Sequence, residues 1–274
     1  MQKLFIIILS ILMFGFNHVE NAQESFGLIR AHYYIAKKDN CTDCDLTIDV
    51  NVSTINKDFL SMTFVKSSAF IIKRFKNKTH VLTSNHVCEA IREFYTFTQT
   101  KTNSYLANRI KDAVLENEEV QRIYEIKPTV SITTFDGLVY KGLEIIQESK
   151  KHDICLIEVP TAFGRAVEIE KEDCYYTKGF NISASGGFYI PKSTPLRSGY
   201  INNIADRVMV DNQVFENVNV YTIQVSPGAS GSAVFNSKGK LCGNINISYE
   251  KLQLSFGASS KTISDFYHSY ERTR

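Results

Sequence analysis

The stretch Gln224–Asn236, QVSPGASGSAVFN, decides how this chain is read. Val218, Val220, Tyr221, Ile223 and Val225 lead into it as a β-branched and aromatic run. Ser226, Pro227, Gly228 and Ala229 then make a polar, glycine-bearing turn, and Ala233, Val234 and Phe235 carry the chain away as a second apolar run. Ser230 sits on that turn between Ala229 and Gly231. A serine on a tight glycine-rich turn between two strands can be held exposed while neighbouring backbone N–H groups converge on one point. The same composition also makes ordinary turns, so the rest of the chain must supply a base and a group that orients it.

The histidines narrow the search. His32 and His80 fall within strand patterns, His152 lies in the charged loop Ser149–Asp153, and His268 is on the terminal amphipathic segment. His86 differs: it follows the strand His80–Thr83 and opens a run rich in helix formers, so it stands at a strand end and can face a cleft. Asp153 begins the apolar strand Ile154-Cys155-Leu156-Ile157, which carries its carboxylate to the lip of a core. A half-buried carboxylate needs a partner, and an imidazole N–H is a natural one.

Working outward, the period-two pattern dominates. Strands are predicted over Phe26–Ala36, Leu60–Val65, Ala69–Phe75, His80–Thr83, Val130–Thr134, Val139–Ile145, Asp153–Val159, Cys174–Phe180, Ser198–Ile204, Val208–Asp211, Val218–Val225, Val234–Phe235, Leu241–Ile247 and Leu252–Ala258. Asp136-Gly137 between alternating runs is a strong hairpin signal. Helix formers fill Val87–Phe97 and Asn103–Tyr124, with Asn108–Arg122 the best internal helix. Ser260–Arg274, with Ile263, Phe266, Tyr267 and Tyr270 on one face, ends the chain as a helix. Many short strands with one terminal helix give an all-β fold class.

At 43% apolar and 22% charged residues the composition is globular. A formal net charge of +2 gives no reason to expect a nucleic-acid partner. Leu4–Phe16 is an apolar run behind Lys3, short for a membrane span and suited to a signal-peptide core, with a cut after Ala22. The chain is then secreted or periplasmic; an uncleaved anchor is the alternative reading, and no other segment is apolar enough to span. Of six cysteines, Cys41 and Cys44 form a lone CxxC without a nearby histidine, which argues against zinc and for a loop disulfide or free thiols. Cys155 reads as a small buried hydrophobe, and pairing among the others is not legible. No metal or cofactor is expected.

The order His86, Asp153, Ser230, each at a strand end, resembles the trypsin-like (chymotrypsin-fold) serine proteases. Residues 67–87, SSAFIIKRFKNKTHVLTSNHV, 130–159, VSITTFDGLVYKGLEIIQESKKHDICLIEV, and 227–248, PGASGSAVFNSKGKLCGNINIS, are similar to the bacterial HtrA-type and glutamyl-endopeptidase-type branches. The resemblance covers Phe59 to Arg274 and implies two six-stranded β-barrels, about 26–160 and about 161–258, followed by the terminal helix 260–274, all within a domain spanning 23–274. It implies Ser230 as nucleophile, His86 as base, Asp153 as its orienter, and the N–H groups of Gly228 and Ser230 as an oxyanion hole. The substrate would be a protein or peptide, with no cofactor. Pocket walls would include Gln224, Asn246, Ser248 and Gly257. No acid stands in Ile223–Pro227, so selection of Arg or Lys is not implied, and Asn246 stands where glutamyl endopeptidases place a histidine.

Several departures matter. Ala229 replaces the aspartate that pancreatic-type enzymes pair with a newly cut N-terminus. Cys88 lies two residues after His86, and no cysteine lies in the preceding strand, so the family's disulfide beside the histidine is not expected. The charged stretch Glu89–Lys127 reads as a helical insertion, and no PDZ domain follows the terminal helix. The rival readings are a catalytically silent trypsin-like domain that acts as a binding or adaptor module, and an unrelated exported β-sandwich binder. Oligomeric state is not legible.

Overall fold

A computed structural model describes residues 19–37, 63–99, 124–172, 174–187, 189–210 and 213–273. The apolar run Leu4–Phe16, the Cys41–Cys44 pair and the expected helix Asn108–Arg122 lie outside the described residues. The chain divides into two units. One comprises residues 1–29, 66–89 and 131–274; the other comprises 30–65 and 90–130. Of the second, residues 30–37, 63–65, 90–99 and 124–130 are described, with Ala31, Ile91 and Val130 buried. His86, Asp153 and Ser230 all belong to the first unit.

Among the described residues fourteen strands form two seven-stranded sheets, and every pairing described between strands is antiparallel. The first sheet contains β1 (Phe26–Lys37), β2 (Thr63–Arg74), β3 (Thr79–Thr83), β4 (Tyr124–Thr134), β5 (Val139–Lys141), β6 (Glu144–Ser149) and β7 (Ile154–Val159), in the order β5-β4-β1-β2-β3-β7-β6. The second contains β8 (Thr177–Ile182), β9 (Leu196–Val210), β10 (Gln213–Tyr221), β11 (Ser232–Asn236), β12 (Leu241–Ile245), β13 (Ile247–Tyr249) and β14 (Leu254–Ala258), in the order β12-β11-β8-β9-β10-β14-β13. Helix α1 (Asn85–Gln99) follows β3, and α2 (Ser260–Arg272) ends the chain.

This is the two-sheet all-β architecture the sequence implies, with seven strands per sheet in place of six. Two breaks fall inside expected strands. Gly142 at φ +77° separates β5 from β6, a backbone region glycine enters without steric cost. The chain also leaves the ladder at Asn246, dividing the expected strand Leu241–Ile247 into β12 and β13. Two other boundaries run the opposite way. Lys66–Ser68 does not interrupt β2, and the expected strands Ser198–Ile204 and Val208–Asp211 fall largely in one long strand, β9 (Leu196–Val210), paired with β10 from Gln213 to Tyr221. The Asp136-Gly137 turn forms as expected: the Thr134 N–H donates to the Leu138 carbonyl (2.9 Å) and Gly137 takes φ +96°.

One core cluster takes side chains from both sheets and from α2: Leu28, Phe70, Leu82 and Leu156 from the first sheet, Phe235 and Leu241 from the second, Ile263 and Phe266 from the helix. A fully buried side chain of this size contributes roughly 1.5–3 kcal/mol. Ala22 is buried in the same cluster, and residues 19–25 are helical, with the Ser25 hydroxyl donating to the Ala22 carbonyl (2.8 Å). The amphipathic pattern of α2 resolves as expected, with Ile263, Phe266, Tyr267 and Tyr270 buried. Its N-cap is Ser259, whose hydroxyl accepts the Thr262 N–H, satisfying one of the orphan donors of the first turn. The Tyr267 hydroxyl lies 2.9 Å from His80 Nδ1, while His80 Nε2 meets Glu158 at 3.0 Å. His80 is therefore a buried structural histidine that fastens α2 to β3 and β7.

Candidate active site

Three turns bring the site together. The first is the junction of β3 and α1. Thr83 ends the strand, and the Val87 N–H donates to the Ser84 carbonyl (3.2 Å) as the helix begins at Asn85. His86 is thus in the first helical turn, where backbone N–H groups lack intrahelical acceptors. One of those N–H groups is its own, and it donates to Asp153 Oδ1 at 2.9 Å.

The second turn precedes β7. The Asp153 N–H donates to the Lys150 carbonyl (3.3 Å), and Asp153 takes φ +49°. It stands just before the strand in the left-handed region, which short polar side chains tolerate better than most. That conformation turns the carboxylate onto the start of α1. Oδ2 accepts His86 Nδ1–H at 2.9 Å, so both carboxylate oxygens are engaged by one residue. Asp153 is nearly buried, at 6% side-chain exposure, while His86 is 48% exposed. With Nδ1 donating, the lone pair of His86 lies on Nε2, the tautomer a general base requires.

The third turn carries Ser230. The Ala229 N–H donates to the Ser226 carbonyl (3.1 Å) and the Ser232 N–H to the Ala229 carbonyl (2.9 Å). Gly228 and Gly231 take φ +97° and +81°. A Cβ on Gly231 would collide with the Thr83 side chain and the Ser68 carbonyl, so only glycine fits there. Strand β2 latches this turn from outside. The Ser68 N–H and the Ser67 hydroxyl both donate to the Ser230 carbonyl (3.1 and 2.7 Å), and the Ser68 hydroxyl donates to the Gly228 carbonyl (2.8 Å). The N–H groups of Gly228 and Ser230 have no acceptor among the described residues.

His86 and Asp153 are therefore joined directly. Ser230 is not hydrogen-bonded to His86: its hydroxyl donates to the Asn246 carbonyl at 3.2 Å. Asn246 links all three turns. Its Oδ1 accepts the Ser84 hydroxyl and an Asn244 N–H, both at 2.7 Å, and its Nδ2 donates to the His152 carbonyl at 3.3 Å.

The residues expected to wall a substrate pocket fall in different surroundings. The Asn246 side chain is buried and hydrogen-bonded to Ser84, Asn244 and His152. Gly257 is also buried, and any Cβ on it would strike the Asn244 backbone. A cleft that includes Ser226 of the Ser230 turn is also lined by Gln224, Arg197, Tyr249 and Gln253. Ser67, Ser68 and Ser84 carry no mark in the sequence. Their roles come from cross-strand position, which no local pattern signals.

Cys88 is disulfide-bonded to Cys155, and Cys174 to Cys242. Cys155 is thus half of a cross-link, in contrast to the unpaired buried hydrophobe expected from its apolar strand.

No curated protein matches the chain. The model of the trypsin-like peptidase domain matches residues 67–243, a span that holds His86, Asp153 and Ser230. The chain belongs to the trypsin-like peptidase family.

Proposed function

We propose that the chain is an exported serine endopeptidase that cleaves peptide bonds through an acyl-enzyme on Ser230. The observation that carries this reading is the double grip of Asp153 on His86, which fixes the histidine's tautomer and leaves Nε2 free. In the first step Ser230 Oγ attacks the substrate carbonyl carbon and His86 Nε2 takes the hydroxyl proton. The carbonyl oxygen becomes an oxyanion held by the Gly228 and Ser230 N–H groups, which have no acceptor of their own among the described residues. Collapse breaks the C–N bond, and the proton on Nε2 passes to the leaving amine. Water then repeats the sequence on the ester, with His86 as base, releasing the acid and restoring Ser230. The N-terminal apolar run Leu4–Phe16 supports export.

The silent-module reading has one observation in its favour, the Ser230 hydroxyl donated to Asn246 instead of His86. Rotation about the serine Cα–Cβ bond redirects that hydroxyl, and catalytic hydrogen bonds in substrate-free sites are often long. Labelling with a fluorophosphonate separates the two. A serine protease labels in the wild type and not in Ser230→Ala; a silent module labels in neither.

A further inference from the structure

The hairpin between β2 and β3 reads KRFKNK from Lys73 to Lys78, with four cations and no acid. Its turn closes through the Phe75 N–H, which donates to the Lys78 carbonyl (2.8 Å). Lys78 is used within the fold: it pairs with Glu158 at 2.7 Å and lies over the Phe75 ring. Lys73, Arg74 and Lys76 are exposed, and none of them meets a carboxylate among the described residues. Beside the hairpin is an open groove of about 760 Å³. Arg74, Lys76 and the exposed Arg165 line it, with Glu24 the one carboxylate in its wall, so the groove is cationic.

The N-terminal segment holds Arg165 in place. The Arg165 N–H donates to the Glu24 carbonyl (3.2 Å) and its Nη1 to Asn21 Oδ1. A Cβ on Gly164 would strike the same Glu24 carbonyl and Ile71, so the two segments pack closely. Ala22 is buried in the core, which fixes the segment to this face. Only Asn17–Glu20 separate Asn21 from the apolar run Leu4–Phe16. A run that enters a bilayer therefore brings Arg74, Lys76 and Arg165 to the headgroup layer, where anionic lipids attract Lys and Arg within a Debye length. The chemistry lies elsewhere. From Ser68, which holds the nucleophile turn, to Arg74 strand β2 runs roughly 20 Å.

We propose that this basic face is a docking surface for an anionic lipid headgroup layer, which holds the protein at a membrane with the Ser230 turn at the far end of β2. The inference does not depend on Ser230 being a nucleophile.

The experiment is co-sedimentation of the full chain with vesicles of phosphatidylcholine, alone or mixed with phosphatidylglycerol, at low and high sodium chloride. Binding through the apolar run is common to both vesicles and cancels in the ratio of the two partition coefficients. For the wild type at low salt that ratio should be on the order of 100, about fivefold for each of three cations, and it should approach one at high salt. Arg74→Gln/Lys76→Gln/Arg165→Gln should bring it near one at low salt. Arg74→Gln/Lys76→Gln, which leaves Arg165 on Asn21, should lower it about 25-fold and keeps the test open if the triple variant does not fold. Lys178→Gln/Lys238→Gln/Lys261→Gln removes equal charge from exposed positions outside the groove and should keep the wild-type ratio. A wild-type ratio near one, or an equal loss in that control, would overturn the proposal. Retention of the wild type on a sulfated polysaccharide without preference for the anionic vesicles would assign the face to a soluble polyanion and overturn it as well.

Discussion

Cys88, two residues after His86, is disulfide-bonded to Cys155, two residues after Asp153. The bond thus ties the segments of His86 and Asp153 together alongside their hydrogen bonds. It joins the first turns of α1 to strand β7, and both cysteines are fully buried. Closing a loop with a sequence separation of 67 should stabilise the fold by roughly 4 kcal/mol in the chain-entropy picture. Cys88→Ser/Cys155→Ser should therefore unfold at lower denaturant, and kcat should fall more than KM rises, because the pair that loosens is His86–Asp153. Unchanged kcat in the folded double variant would show that the hydrogen bonds alone hold the pair.

Asn246 is the second tie among the turns. Asn246→Ala leaves the Ser84 hydroxyl and an Asn244 N–H without their acceptor in a buried setting. Each such group costs about 1–3 kcal/mol. The variant should lose stability on that scale and lose kcat as well, since Ser84 and His152 lie beside His86 and Asp153 in the chain. Ser84→Ala, which removes only one of the bonds, should show a smaller loss in both. Denaturant unfolding with steady-state kinetics on the two variants checks the order.

Gly231→Ala should be among the most damaging single-methyl additions in the chain. Its φ of +81° alone costs an alanine about 1–2 kcal/mol. The added Cβ would also press against Thr83 and the Ser68 carbonyl, which leaves the latch between β2 and the nucleophile turn no room. Thermal unfolding should show a loss well beyond the ordinary 1 kcal/mol or so of a point substitution.

The pH dependence of stability arises first at His152. Burial lowers its pKa below the usual histidine value, and the Lys151 cation lowers it further, while Glu216 acts in the opposite sense. A folded pKa below the unfolded one means that the unfolded chain binds the proton first. Stability is then complete above the unfolded value, near 6.5, and falls as pH drops from there through the folded pKa. Glu158 and Glu216 act at lower pH. At Glu158 burial is outweighed by Lys78 and His80; at Glu216 the Lys151 hydrogen bond dominates, and both pKa values lie below the usual carboxylate value. Their share is lost only below about pH 4.5. Melting temperatures measured from pH 7.5 to 5 should decline, and His152→Gln should flatten that decline without altering the step below pH 4.5.

What the sequence made legible was whatever depends on neighbours in the chain. Asp136-Gly137 announced its hairpin because only certain residues fit that turn. Ser230 stood out because Gly228 and Gly231 flank it, and both proved to need positive φ. Asp153 was found by its place beside an apolar strand, although it stands before β7 in a left-handed turn and not as the strand's first residue. What stayed hidden depends on pairing across sheets. Ser67 and Ser68 look like a loop between two strands, yet they lie in β2 and hold the nucleophile turn. Arg197 precedes the expected strand Ser198–Ile204, yet it lies in β9 and donates to the Gln224 carbonyl. Asn246 offers the same amide in a pocket or in a clamp, and only its three partners decide which.

The central claim is that Ser230 is a nucleophile activated by His86. Intact-mass measurement after brief exposure to a fluorophosphonate tests it most directly, on the wild type, Ser230→Ala and His86→Ala. A single adduct mapped to Ser230, absent in Ser230→Ala and formed at least about 10³-fold more slowly in His86→Ala, is the predicted result. A folded wild type that gains no adduct, or one whose Ser230 reacts equally fast without His86, would contradict it.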